Sequence, residues 1–177
     1  MKTKDLVICS LFAAITAVLA QISIPFPGGV PLTMQTLAVS LAGILLGSKK
    51  GFISLIIYTL LGAVGLPVFA QFSGGIQIVL GPTGGFILSF PIMAFLIGFI
   101  CERSNNKFMI FVAMILGSIV NYTIGTMLFA FIMKTTIMSA FIACVAPFIF
   151  TGIVKAFLAT IIGIKLKENR SMQGVLN

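Results

Sequence analysis

The stretch Thr33-Met-Gln-Thr-Leu-Ala-Val-Ser-Leu-Ala-Gly-Ile-Leu-Leu-Gly-Ser-Lys-Lys50 decides the fold class. An apolar run from about Thr33 to Leu46 stops at Gly47-Ser48-Lys49-Lys50, and another begins at once, from Gly51 to about Phe69. Two apolar runs separated by a glycine and two lysines read as consecutive membrane crossings joined by a tight basic turn. The first of them is short for a crossing, which takes roughly 20 residues.

The pattern continues on both sides. Upstream, Leu6 to Ile24 is apolar and stops at Pro25-Phe-Pro-Gly-Gly29. Downstream, Gly65-Leu-Pro67 interrupts the third run, and two glycine-rich stretches follow, Phe72-Ser-Gly-Gly75 and Gly81-Pro-Thr-Gly-Gly85. A fourth segment reaches about Cys101, with Pro91 expected to kink it. The polar run from Glu102 to Lys107 separates it from a fifth, about Phe108 to Met133. After Lys134 a short apolar stretch leads to Ala146, and a last crossing runs from Pro147, a favourable first-turn residue, to about Ile164.

Composition agrees with this reading. Of 177 residues 59% are hydrophobic, against eleven basic and three acidic side chains. Soluble domains carry about 25% charged residues, and disordered chains lack the aromatic content that 17 Phe supply here. The expectation is an all-α membrane protein: a single domain over residues 1–177 forming a six-transmembrane-helix bundle in the lipid bilayer. Lys2 and Lys4 before an apolar run resemble a signal peptide, but the run is too long and lacks a cleavage site, so it reads as an uncleaved first helix. With no His and three Cys at unpaired spacings (Cys9, Cys101, Cys144), neither a metal site nor a disulfide framework is expected, and no cofactor is implied.

The formal charge of +8 then acquires a direction. With the N-terminus in the cytoplasm, the inner loops and ends receive Lys2, Lys4, Lys49, Lys50, Arg103, Lys107, Lys165, Lys167 and Arg170, and the outer side receives Lys134. This bias places both termini in the cytoplasm and makes the charge a topology signal, not a nucleic-acid footprint. One basic residue is left over. Lys155 lies about eight residues into the last segment, roughly 12 Å deep at about 1.5 Å per residue. A lysine there costs on the order of 2.5–3.5 kcal/mol, and no Asp or Glu lies at that depth. It either meets backbone carbonyls or holds an anionic ligand, for which a carboxylate is suited; the ligand reading is preferred. The Gly/Pro-rich segments 25–31 and 72–85 both fall on the outer side, as turns or as a lid over a cavity. Gln35 offers a neutral polar group near them. Asn121, Tyr122 and Tyr58 are further polar groups within segments, each read singly as a core or interface residue. Ala13 and Ala17 form a small-residue pair at i, i+4 on the first helix, suited to close packing within the bundle or against a partner.

Three stretches resemble the signature of the BioY family, the biotin-binding S components of energy-coupling factor vitamin transporters. They are Val30 to Gly51, Tyr58-Thr-Leu-Leu-Gly-Ala-Val-Gly-Leu-Pro-Val-Phe69 and Gly81-Pro-Thr-Gly-Gly85. The resemblance covers essentially the whole chain. It implies a six-helix protein of the bacterial cytoplasmic membrane that captures biotin on the outer face. Its implied partners are a transmembrane coupling subunit and two cytoplasmic ATPases, with no enzymatic activity of its own and no nucleic acid. Carried over by position, Gln35, Ser73, Tyr122 and Lys155 are implied ligand contacts, with Gly125 near the pocket. Ala13 and Ala17 are the implied docking face for the coupling subunit. The sequence departs from many relatives at Gly152, where an acid three residues before the lysine is usual. That leaves Lys155 without a built-in counter-ion. The chain has no GxxxxGK[ST] phosphate loop, so ATP hydrolysis falls to another subunit. Two rivals are weighed: a stand-alone facilitator or channel, for which no ring of charges can be read, and an intramembrane enzyme using Lys155 as a base, which no His, acid or serine partner supports.

Overall fold

The computed structural model describes residues 2–26, 29–104 and 106–169. Arg170 of the inner basic set, Pro27 and Gly28 of the first breaker, and Asn105 of the polar run lie outside the described residues. The elements in order are α1 (Thr3–Ala20), β1 (Ser23–Ile24), β2 (Leu32–Thr33), α2 (Gln35–Ala63), a 3-10 turn (Ala70–Phe72) and α3 (Ile76–Val79). There follow α4 (Gly84–Cys101), α5 (Lys107–Met133), α6 (Ile137–Cys144), a second 3-10 turn (Ala146–Phe148) and α7 (Ile149–Glu168).

The decisive feature is the reversal inside α2. Gly47 takes φ +78 and ψ −175, outside helical space and in the region that favours glycine. Past it the chain doubles back, so that Gln35 Nε2 lies 2.6 Å from Tyr58 Oη. An unbroken helix would hold residues 23 apart at about 34 Å. α2 is therefore a hairpin of two arms, residues 35–46 and 48–63. With α1, α4, α5 and α7 these make six traverses. By length and apolarity, α1, α2, α4, α5 and the stretch Ile137–Glu168 are each able to cross a membrane.

The shortness of the first arm has a structural reason. None of its residues is exposed, and Ala38, Val39 and Ala42 are fully enclosed. It is a central element surrounded by protein, so lipid thickness does not set its length. Gly43 lets it approach α4 closely: a Cβ there would sit 2.8 Å from the Ala94 carbonyl. Tyr58, Leu55, Met93, Ile97, Ile110 and Met114 complete the core around it. Outside, Val64, Phe131 and Phe150 are each more than three-quarters exposed, the apolar exterior expected of a bundle solvated by acyl chains. α4 continues through Pro91 as one helix.

Polar contacts gather the basic segments at one end of the bundle. Lys50 pairs with Asp5 at 2.9 Å, Ser48 with Glu102, and Lys167 Nζ with the Cys101 carbonyl at 3.4 Å. The start of α1, the turn of α2, the α4–α5 junction and the end of α7 thus lie together. The opposite end carries Lys134 and the Gly/Pro-rich segments. There β1 and β2 pair antiparallel, Ser23 with Thr33 and Ile24 with Leu32. This two-residue ribbon, flanking the first breaker in sequence, is too short to leave an alternation in the sequence.

The small-residue pair of α1 packs within the bundle, one of the two roles its spacing suits. Ala13 is 1% exposed and faces the bundle, and Ala17 is half-buried against the same core. The small-residue pair lets α1 close on its neighbours, where Ser54 Oγ donates to the Cys9 carbonyl at 2.9 Å.

Candidate functional site

The end opposite the basic loops holds a cavity of about 300 Å³. Its walls come from the ribbon, the start of α2, the turn at 69–73, α4, α5 and α7. Gln35, Ser73, Tyr122 and Lys155 all line it, and so do Thr36 and Asn121. The structure therefore brings the four sequence-derived candidates to one place from four different stretches of chain.

Lys155 enters from α7 and is 8% exposed. Its Nζ donates to the Thr33 carbonyl at 3.1 Å. An ammonium has three donors, and among the described residues no Asp or Glu lines the cavity. The lysine does meet a backbone carbonyl, as one of the two sequence readings expects, and it also faces the cavity as the other requires. The result is a mostly apolar chamber with one fixed positive charge.

Gln35 is braced. Thr33 Oγ1 donates to its Oε1 at 2.9 Å, its Nε2 donates to Tyr58 Oη, and Tyr58 Oη donates to the Val68 carbonyl at 3.0 Å. One polar chain thus runs from Lys155 through Thr33, Gln35 and Tyr58 to the segment after α2. Gln35 keeps one N–H and one lone pair for a ligand. Ser73 Oγ gives its proton to the Ala70 carbonyl at 2.7 Å, so it faces the cavity as an acceptor. Tyr122 Oη reaches the Phe148 carbonyl at a long 3.4 Å, a weak restraint.

Three further polar residues, in or near the cavity wall, are not among the sequence-derived candidates. Asn121 is 1% exposed, and both of its N–H donors are used, by Phe86 O at 2.9 Å and Ser89 Oγ at 2.7 Å. No hydrogen bond to its Oδ1 is formed among the described residues, so a carbonyl acceptor stands in the cavity wall. Thr36 Oγ1 is buried without a partner. Gln21 holds the turn that carries Ser73: its Nε2 donates to Phe69 O at 3.1 Å, and its Oε1 accepts from Phe72 N at 2.8 Å. That turn contains Gln71 and Phe72 at φ +59 and +54, a left-handed geometry costing on the order of 1 kcal/mol or more per residue. Only the segment's polar membership in an apolar helix marked Asn121; nothing in the sequence ties Gln21 to residues some fifty positions on.

The arrangement fits a small, largely apolar anion that also carries N–H donors. The single ammonium meets the charge, and Ser73, Gln35 and Asn121 offer acceptors.

Comparison with known proteins agrees with this geometry. The model of the BioY family matches residues 1–171. A protein of Pyrococcus horikoshii described as a probable biotin transporter BioY is 47% identical over 169 residues, covering 96% of this chain and 99% of its own. The biotin transporter BioY of Thermotoga maritima is 36% identical over 165 residues, covering 93% and 96%. The solved S component for biotin from an ECF-type ABC transporter superposes with a TM-score of 0.88 at 27% identity over the whole of both chains. A buried ammonium at the head of a six-traverse bundle, with the family's match running from end to end, makes this chain a member of the BioY family.

Proposed function

We propose that this protein is the substrate-binding S component of an ECF-type transporter and that it captures biotin in the cavity. The observation that carries the reading is the lone ammonium of Lys155 in a chamber without a carboxylate. Lys155 holds the biotin carboxylate in a charge-assisted hydrogen bond. Ser73 and the Asn121 carbonyl accept the ureido N–H groups, Gln35 donates to the ureido oxygen, and Tyr122 closes one side. The valeryl chain and bicycle lie against Phe86, Phe90 and Phe148.

The basic end of the bundle faces the cytoplasm and the cavity faces outward, in the cytoplasmic membrane of a bacterial-type cell. Support comes from the clustering of Lys50, Lys49, Arg103 and Lys167 at one end by the contacts of Asp5, Glu102 and Cys101. Both termini are then cytoplasmic. A transmembrane coupling subunit and two ATPases supply the energy, because this chain has no phosphate-binding loop. The protein is a carrier and performs no catalysis.

The test is direct titration. Purified protein titrated calorimetrically with biotin is expected to bind one equivalent, with a rise in unfolding temperature. Absence of both would end the reading. Uptake by vesicles containing this chain alone, without coupling subunits or ATP, would favour a facilitator.

A further inference from the structure

A second cavity, of about 460 Å³, lies among α5, α6 and α7 on the far side of the ligand chamber's wall. Its lining is mostly apolar, with Ser118, Thr123 and Thr126 as the hydroxyl groups beside Tyr122; Ile119, Met127 and Ile137 are more than half exposed, so it opens on the outer face, and Thr126 Oγ1 is buried without a partner among the described residues. Among the described residues Tyr122 alone lines both cavities. The phenol thus separates the ligand chamber from an apolar groove on the outer face of the bundle, and its hydroxyl is held by one long bond to Phe148.

What fixes the partition is the space beside it. A Cβ built at Gly152 falls 2.7 Å from Tyr122 Oη, and the next atom of the ring, Cζ, is at 3.7 Å. The close approach is therefore made by the hydroxyl alone. Gly152 takes ordinary helical geometry within α7, so no backbone requirement accounts for the glycine. A methyl group there would act on the far end of a side chain with open volume on both sides, so the ring would give way before either helix moved.

We propose that Gly152 is a positioning residue for the ligand cavity: its missing side chain makes room for the Tyr122 hydroxyl and so sets where the wall between the two cavities stands. This rests on the biotin reading for its affinity measurement, but the position of the ring can be tested without ligand. The sequence has no Trp and two Tyr, and Tyr58 is fully enclosed. Acrylamide quenching of the intrinsic fluorescence therefore reports Tyr122.

The experiment compares wild type, Gly152→Ala, Tyr122→Phe and the double variant by biotin titration, thermal unfolding and acrylamide quenching of the unliganded protein. Gly152→Ala is expected to weaken biotin about tenfold, a coupling within the range for touching residues, and to change the quenching constant. Its unfolding temperature should stay within about 4 °C of wild type. In the Tyr122→Phe background the same alanine is expected to change affinity by less than about threefold, because the colliding oxygen is gone. An equal loss in both backgrounds, or none in the wild-type background, overturns the proposal. If wild type does not bind biotin, the function falls separately, and an unchanged quenching constant in Gly152→Ala then overturns the positioning role.

Discussion

The Glu102 carboxylate caps the second arm of α2 through Ser48, accepting from its backbone N–H at 2.7 Å and from its Oγ at 3.0 Å. A negative charge sits on the exposed N–H groups of a helix start, where the helix dipole favours it. The contact joins α4 to the hairpin turn, and it is far from the cavity. Glu102→Gln is therefore expected to lower stability by about 1 kcal/mol, seen as a fall in detergent-solubilised unfolding temperature. Biotin affinity should not change. A loss of affinity would place the two ends of the bundle in communication that this geometry does not contain.

Beside that cap, a Cβ at Gly98 would collide with the backbone of Gly47 and Ser48. Backbone cannot step aside as a side chain can. Gly98→Ala is expected to cost about 2 kcal/mol or more, the scale of overpacking in a close-packed core, measured by thermal unfolding. A neutral result would mean that α4 and the hairpin turn stand further apart than described.

At the other end, Lys155→Ala should weaken biotin at least about 100-fold, since the ligand carboxylate would be left buried and unpaired, a loss on the order of 3 kcal/mol. Biotin methyl ester should bind wild type far more weakly than biotin, and Lys155→Ala should no longer distinguish them. Equal affinity of wild type for acid and ester would refute the pairing.

Gln21 contacts the turn at 68–72 and does not line the cavity. Gln21→Ala removes bonds worth about 1 kcal/mol each to a turn held in left-handed geometry. The expected consequence is release of biotin roughly tenfold faster with little change in association rate, followed by stopped-flow dissociation. An unaltered off-rate would show that Ser73 keeps its place without the glutamine.

Much of this fold is legible in sequence, for identifiable reasons. Stretches such as Leu6–Ile24 and Phe108–Met133 exceed what a soluble helix tolerates, and Gly47-Ser-Lys-Lys50 marks a reversal by glycine and charge together. Lys155 stands out because a charge at that depth is costly. Which way each helix faces is not legible. A helix whose outer side meets lipid is apolar all round and carries no amphipathic stripe, so the spacing of Ala13 and Ala17 marked a close-packing face but not which neighbour it meets. The ribbon of Ser23–Ile24 and Leu32–Thr33 is too short for period-two alternation, and the reach of Gln21 to Phe72 is tertiary. Asn121 was visible as a polar residue in an apolar segment, but only the packing of α4 against α5 fixes its amide toward Phe86 and Ser89 and leaves its carbonyl to the cavity.

The bond from Lys155 to the Thr33 carbonyl spans 122 residues. During synthesis the ribbon, the hairpin and α4 can all insert and pack while the ribosome is still translating α5. The chamber at that stage lacks its ammonium and the walls supplied by α5, α6 and α7. The charge is thus the last part of the chamber to arrive: a chain stalled between α5 and α7 holds most of the bundle without its buried ammonium.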